Sequence, residues 1–154
     1  MKKILSIMIT AILLCSFTAC NQAKTKTVTL HIEDSGILGQ YVLEAEDNVV
    51  KTITQITTME CTGFVEEQFK ILEDAAAEYK TVYDAMEGVT YDVEITEKAM
   101  VETLTIDAAN KTALDALFEQ GLLPLEKGDY IALDQTVEAL CADGWVVAES
   151  STDK

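Results

Sequence analysis

A thiol at position 20 follows two small residues, Thr18 and Ala19, and an apolar run from Ile4 to Phe17. Lys2 and Lys3 precede that run. A basic start, a short apolar stretch and small residues before a cut are the layout of a secretory leader. The stretch is too short to span a bilayer, which takes roughly 20 residues. A cut after Ala19 makes Cys20 the new N-terminus and presents its sulfur for alkylation. A plain leader is the rival reading, and it has no use for a thiol at that place.

Phe17-Thr18-Ala19-Cys20 resembles the lipobox of bacterial lipoproteins, with Phe17 where Leu is usual. The resemblance implies a lipoprotein signal peptide over residues 1–19 and a diacylglyceryl thioether on Cys20. Two acyl chains suffice for stable anchoring, whereas one gives only marginal binding. Residues 20–26 then form a lipidated tether, whose polar part reaches about 20 Å when extended. The expected location is the cell membrane, lipid-anchored on its extracytoplasmic face.

The remaining reactive side chains form no recognisable catalytic set. With Cys15 removed and Cys20 acylated, Cys61 and Cys141 are left as candidates for a disulfide in a compartment that permits one. The alternative is two unbridged thiols, each a small apolar residue. His31 is the single histidine and falls on the polar side of a strand. G-x-S-x-G, H-E-x-x-H, Gly-rich phosphate loops and C-x-x-C are all missing. Glu44, Glu46, Asp47 and Asn48 cluster at a hairpin but lack EF-hand spacing, so a solvated acidic turn is the better reading. No catalytic residue, metal ligand or cofactor site is assigned.

The charge balance narrows the partners. The 154 residues carry 11 Lys, no Arg and 27 carboxylates, a net charge of −16. Removing residues 1–19 leaves 9 Lys and a net charge of −18. Nucleic-acid binding needs a basic surface, so that class of partner is rejected. An anionic bilayer repels such a surface, which leaves the lipid to hold the protein down.

The body reads as alternating strands and helices. Val28, Leu30 and Ile32 alternate with Thr27, Thr29, His31 and Glu33, the period of a half-buried strand. Asp34-Ser35-Gly36 turns into a strand over Gly39 to Glu46, and Asp47-Asn48 turns into another over Val49 to Glu60. Val65, Phe69, Leu72, Ala76, Tyr79, Tyr83 and Met86 share one face of a long helix from Phe64 to Glu87, which is expected to cover the sheet. Thr62 is its expected cap and Gly88 its stop. Strands follow at Val89 to Thr96 and Met100 to Asp107. A short helix capped by Asn110, a second capped by Asp134 and a terminal strand at Trp145-Val146-Val147 complete the chain.

Val42 to Thr54 aligns without gaps on Val93 to Thr105, an echo of one hairpin in the next. The expected fold is α+β: an antiparallel sheet with one long and one or two shorter helices on one face, in two degenerate hairpin-helix units. Residues 27–149 form the single domain, and 150–154 a polar C-terminal tail.

The lipobox, the Thr-rich third strand, the long helix, Thr90-Tyr91, Thr105-Ile106-Asp107 and Ala142-Asp143-Gly144-Trp145-Val146 together resemble YehR-like lipoproteins. Trp145 stands where that family more often has Phe. The resemblance implies an α+β lipoprotein of unknown function and supplies no catalytic residues. The expected function is a non-enzymatic binding or scaffolding domain at the cell envelope, with an envelope protein or peptide as partner. The alternatives are a small carboxylate-dependent hydrolase and a cation-binding protein.

Overall fold

The computed structural model describes residues 24–121, 123 and 128–153. Strands β1 (Thr25–Asp34), β2 (Ile37–Glu46) and β3 (Val49–Glu60) form a meander. Helix α1 (Glu66–Tyr83) leads to β4 (Val89–Ile95) and β5 (Ala99–Asp107). Helices α2 (Lys111–Glu119) and α3 (Leu133–Ala142) then carry the chain to β6 (Val146–Asp153). All pairings are antiparallel, in the order β4-β5-β3-β2-β1-β6. The fold is thus the expected α+β sheet with three helices, and the two hairpin-helix units are β2-β3-α1 and β4-β5-α2.

Both tight turns adopt the left-handed backbone that their residues favour. Ser35 and Gly36 have φ of 52° and 81°, and Asp47 and Asn48 have φ of 46° and 70°. Positive φ at both central positions matches the strand twist of a two-residue hairpin, and Gly, Asn and Asp bear it at least cost. The pairing corrects the gapless echo. Val42 faces Thr54 across the first hairpin, but Val93 faces Glu102 across the second, because Val42 lies four residues before the end of β2 and Val93 only two before the end of β4.

Register lines up transverse rows across the sheet. One row on the inner face is Val89, Ile106, Ile53, Leu43 and Val28. Its middle members are completely buried, each contributing about 1.5–3 kcal/mol of hydrophobic stabilisation. The next row is Tyr91, Leu104, Gln55, Tyr41 and Leu30, and the third is Val93, Glu102, Thr57, Gly39 and Ile32. The opposite face is richer in threonine: Thr90, Thr105, Thr54, Val42 and Thr29 form one row there. His31 belongs to this second face, beside Gln40 and Val146.

Several boundaries differ from expectation for local reasons. Helix α1 starts after Val65, not Thr62. The Thr62-Gly63 turn intervenes, and the Gln68 side chain accepts from the Val65 N–H at 2.9 Å. The helix ends at Tyr83, ahead of Gly88, whose φ of +83° precedes β4. Asn110 caps α2 as expected, accepting from the Ala113 N–H at 3.2 Å. Asp134 lies in the first turn of α3 instead of capping it. Its own N–H donates to Asn48 Oδ1 at 3.0 Å, so the cap comes from the β2–β3 turn. Residues 150–153, read as a tail, belong to β6, and Thr25 and Lys26, read as tether, belong to β1. These two ends pair with each other, Thr25 with Asp153 and Lys26 with Thr152, which supplies the backbone hydrogen bonds that a polar end alone does not announce.

Candidate functional site

Alternation along β5 directs Met100, Glu102, Leu104 and Ile106 inward, and along β3 it directs Ile53, Gln55, Thr57 and Met59 inward. Most of these side chains are apolar. Gln55, Thr57 and Glu102 form a polar patch on the face that the helices cover, with Thr57 and Glu102 in direct register. Burial of polar groups without partners is costly, so such a patch is kept only where water, hydrogen bonds or a ligand reach it.

Helix α1 does not seal this patch. It lies along the edge strand β4 and buries only Ala76 and Tyr83, while Val65 and Tyr79 are 59% and 48% exposed. The expected seven-residue stripe is therefore only partly covered. A cavity of about 380 Å³ remains, lined by Gln55, Thr57, Tyr79, Tyr83, Tyr91 and Glu102, with Leu104 and Gly121.

Three tyrosines line one part of the cavity. Tyr79 stacks on Tyr83 with ring centroids 6.3 Å apart, and Tyr83 meets Tyr91 at 5.2 Å. The Tyr91 hydroxyl donates to Glu102 Oε1, and the Tyr41 hydroxyl behind the cavity donates to Gln55 Oε1 at 3.2 Å. Burial pushes the Tyr41 phenol up to about 12, with a smaller contribution from Tyr83. The Tyr91 phenol is also raised, first by burial and then by its hydrogen bond to the Glu102 carboxylate. The Tyr83 phenol is raised by burial, then by Tyr79 and Glu102. All three are therefore neutral donors across the physiological range. Among the described residues no ion pair involves Glu102, and its carboxylate accepts from the Tyr91 hydroxyl.

The residues singled out from sequence lie elsewhere. The leader 1–19, Cys15, Cys20 and Pro124 lie outside the described residues. Cys61 is buried with its Sγ 3.6 Å from the Met59 carbonyl, whereas Cys141 is exposed, and both are free thiols in the structure. The acidic hairpin is occupied by structural contacts: Asp47 accepts from the Lys24 N–H and Asn48 caps α3. Among the described residues no three His, Cys, Asp or Glu side chains converge to hold a metal ion. Glu102 and Gln55 were not singled out. The available signal was a polar residue at an inward position of an otherwise apolar alternation.

The fold has solved counterparts. It is similar to the solution NMR structure of the Escherichia coli YehR protein, with a TM-score of 0.60 and 18% identity over 82% of this chain and 92% of that one. Its fold is YehR-like. It is also similar to an NMR structure of a protein from Streptococcus pneumoniae, with a TM-score of 0.52 and 14% identity over 96% and 98% of the two chains. No protein-family model and no curated protein matches the chain. The YehR-like architecture agrees with the resemblance read from the sequence, and at these identities it speaks to fold alone.

Proposed function

We propose that this protein is a lipid-anchored, extracytoplasmic binding protein whose ligand site is the tyrosine-lined cavity. The observation that carries the reading is the polar patch of Gln55, Thr57 and Glu102 on the covered face, left open beneath α1. The half-buried Glu102 carboxylate there accepts from the Tyr91 hydroxyl and makes no ion pair among the described residues. The cavity size falls in the lower range of small-molecule sites, roughly 300–1,000 Å³.

The anchor is the Cys20 thioether, and the membrane is the first partner. Lys24 begins the described body, and the few residues between it and Cys20 span at most about 15 Å. The site therefore works close to the bilayer, where an envelope component or a solute crossing the envelope is within reach. Glu102 is the single carboxylate among the described lining residues. Glycoside hydrolysis commonly needs a pair, so binding is favoured over hydrolysis.

The test is a ligand-observed NMR screen of small fragments against the full chain in non-ionic detergent, repeated with Thr57→Trp, which fills the cavity. Saturation-transfer signals that disappear in the filled variant support the reading. Signals that persist unchanged in it, or a screen without hits, contradict it.

A further inference from the structure

We infer that the ligand is a small organic cation, an amine or quaternary ammonium group held between the tyrosine rings and the Glu102 carboxylate. The inference rests on the cavity being a ligand site and adds the chemical class of the ligand.

Four observations converge on positive charge. Tyr79, Tyr83 and Tyr91 line the cavity, and aromatic faces carry the negative side of the ring quadrupole, which attracts ammonium groups within about 6 Å. Glu102 lines the same space, and none of the described lining residues is Lys or His. It makes no ion pair among the described residues, and the hydrogen bond it accepts comes from the neutral Tyr91 hydroxyl. The whole chain adds a net charge of −16, a field that concentrates cations and excludes anions.

The same lining argues against a metal ion. Calcium takes six to eight oxygen ligands and magnesium a near-ideal octahedron. Here a single carboxylate lines the cavity with the Gln55 amide, the Thr57 hydroxyl and three tyrosines, a set with one anionic group and aromatic rings that suits a soft, weakly hydrated cation. Tyr79 is about half exposed at the edge of the site, which gives the ammonium a way in without opening the core. The Gln55 amide and the Thr57 hydroxyl then supply polar contacts for the uncharged part of the molecule.

Calorimetric titration of the full chain in non-ionic detergent tests this with three probes: choline, 1,5-diaminopentane and 3,3-dimethyl-1-butanol. The last has the shape of choline without its charge. The expected result is saturable binding of at least one ammonium probe, about tenfold tighter than the neutral alcohol. Glu102→Gln should weaken the ammonium by about tenfold and leave the alcohol unchanged. Tyr79→Ala, at an exposed position that cannot unfold the core, should weaken the ammonium several-fold. Equal affinity for the charged and neutral probes, or no response to Glu102→Gln, would overturn the cationic assignment. If ammonium probes do not bind while neutral or anionic fragments fill the cavity, the assignment falls and the binding site stands. If no probe of any charge binds, both fall.

Discussion

Tyr91 reaches diagonally across the β4–β5 pair to donate its hydroxyl to Glu102, although its register partner is Leu104. The diagonal is what turns a polar interruption of the core into a shaped site. A tyrosine directly opposite Glu102 would cover it, whereas one displaced by two residues holds the carboxylate from the side. Val93, which does stand opposite Glu102, is too short to close the space.

This arrangement predicts opposite effects at its two ends. Tyr91→Phe removes a hydrogen bond to a charged group and should lower stability by about 1–2 kcal/mol in urea unfolding. Glu102→Gln keeps an acceptor for Tyr91 and removes an unpaired charge, so its unfolding midpoint should match or exceed that of the parent. A loss above about 2 kcal/mol in Glu102→Gln would mean that the carboxylate is structural.

The raised tyrosine pKa values make stability depend on alkaline pH. The Tyr41 phenol stands at about 12 in the native state against an unfolded value near 10. Above pH ~10 the unfolded chain loses this proton while the native chain keeps it, so stability falls with rising pH. The contribution is fully present below pH 10 and declines by about 1.4 kcal/mol per pH unit until the native group ionises near 12. Tyr41→Phe should flatten this alkaline limb in denaturant titrations at pH 9 to 12, and an unchanged slope would refute the assignment.

Asn48 has two duties, a turn residue at φ 70° and the cap of α3 through its bond to the Asp134 N–H. Asn48→Gly should keep the turn and lose the cap, costing roughly a few tenths of a kcal/mol. Asn48→Asp should keep both and cost less. Chemical denaturation of the two variants separates the roles.

Gly39 has little room for a side chain. A Cβ there would lie 3.0 Å from Trp145 Cη2 and 3.2 Å from Ile32 Cγ2. Trp145 is itself held against Tyr41, with ring centroids 4.8 Å apart, which restrains the nearer neighbour. Gly39→Ala should destabilise by about 1–3 kcal/mol, with a change in tryptophan fluorescence. An unaltered spectrum and midpoint would show that the contact is loose.

Lipidation makes a separate prediction in cells. Cys20→Ala should release the protein from the membrane fraction, because it removes the sulfur that the proposed thioether uses. Retention of the variant through carbonate washing would remove the anchor from the account.

The strands and turns were legible because their signals are local. Alternation marked β1, whereas β2 to β5 were read between turn residues, and Asp34-Ser35-Gly36 and Asp47-Asn48 marked two hairpins that the backbone angles match. Strand order was not legible, since β3 pairs with β5 across an intervening helix and strand, and no local pattern encodes that choice. The α3 cap was missed for the same reason: Asn48 lies 86 residues from Asp134 in sequence. Residues 150–153 carry no apolar pattern, and their place in β6 comes from backbone pairing with β1. The site was half legible. Glu102 interrupts the file of Met100, Leu104 and Ile106 in plain view, but only the lie of α1 along the sheet edge shows that space was left above it.

The most direct test of the central claim is amide chemical-shift mapping of the full chain during titration with the tightest-binding ammonium probe. The account predicts saturable shifts centred on Gln55, Thr57, Tyr79, Tyr83, Tyr91 and Glu102. Shifts confined to Thr29, Thr54, Thr90 and Thr105, on the opposite face of the sheet, would contradict it.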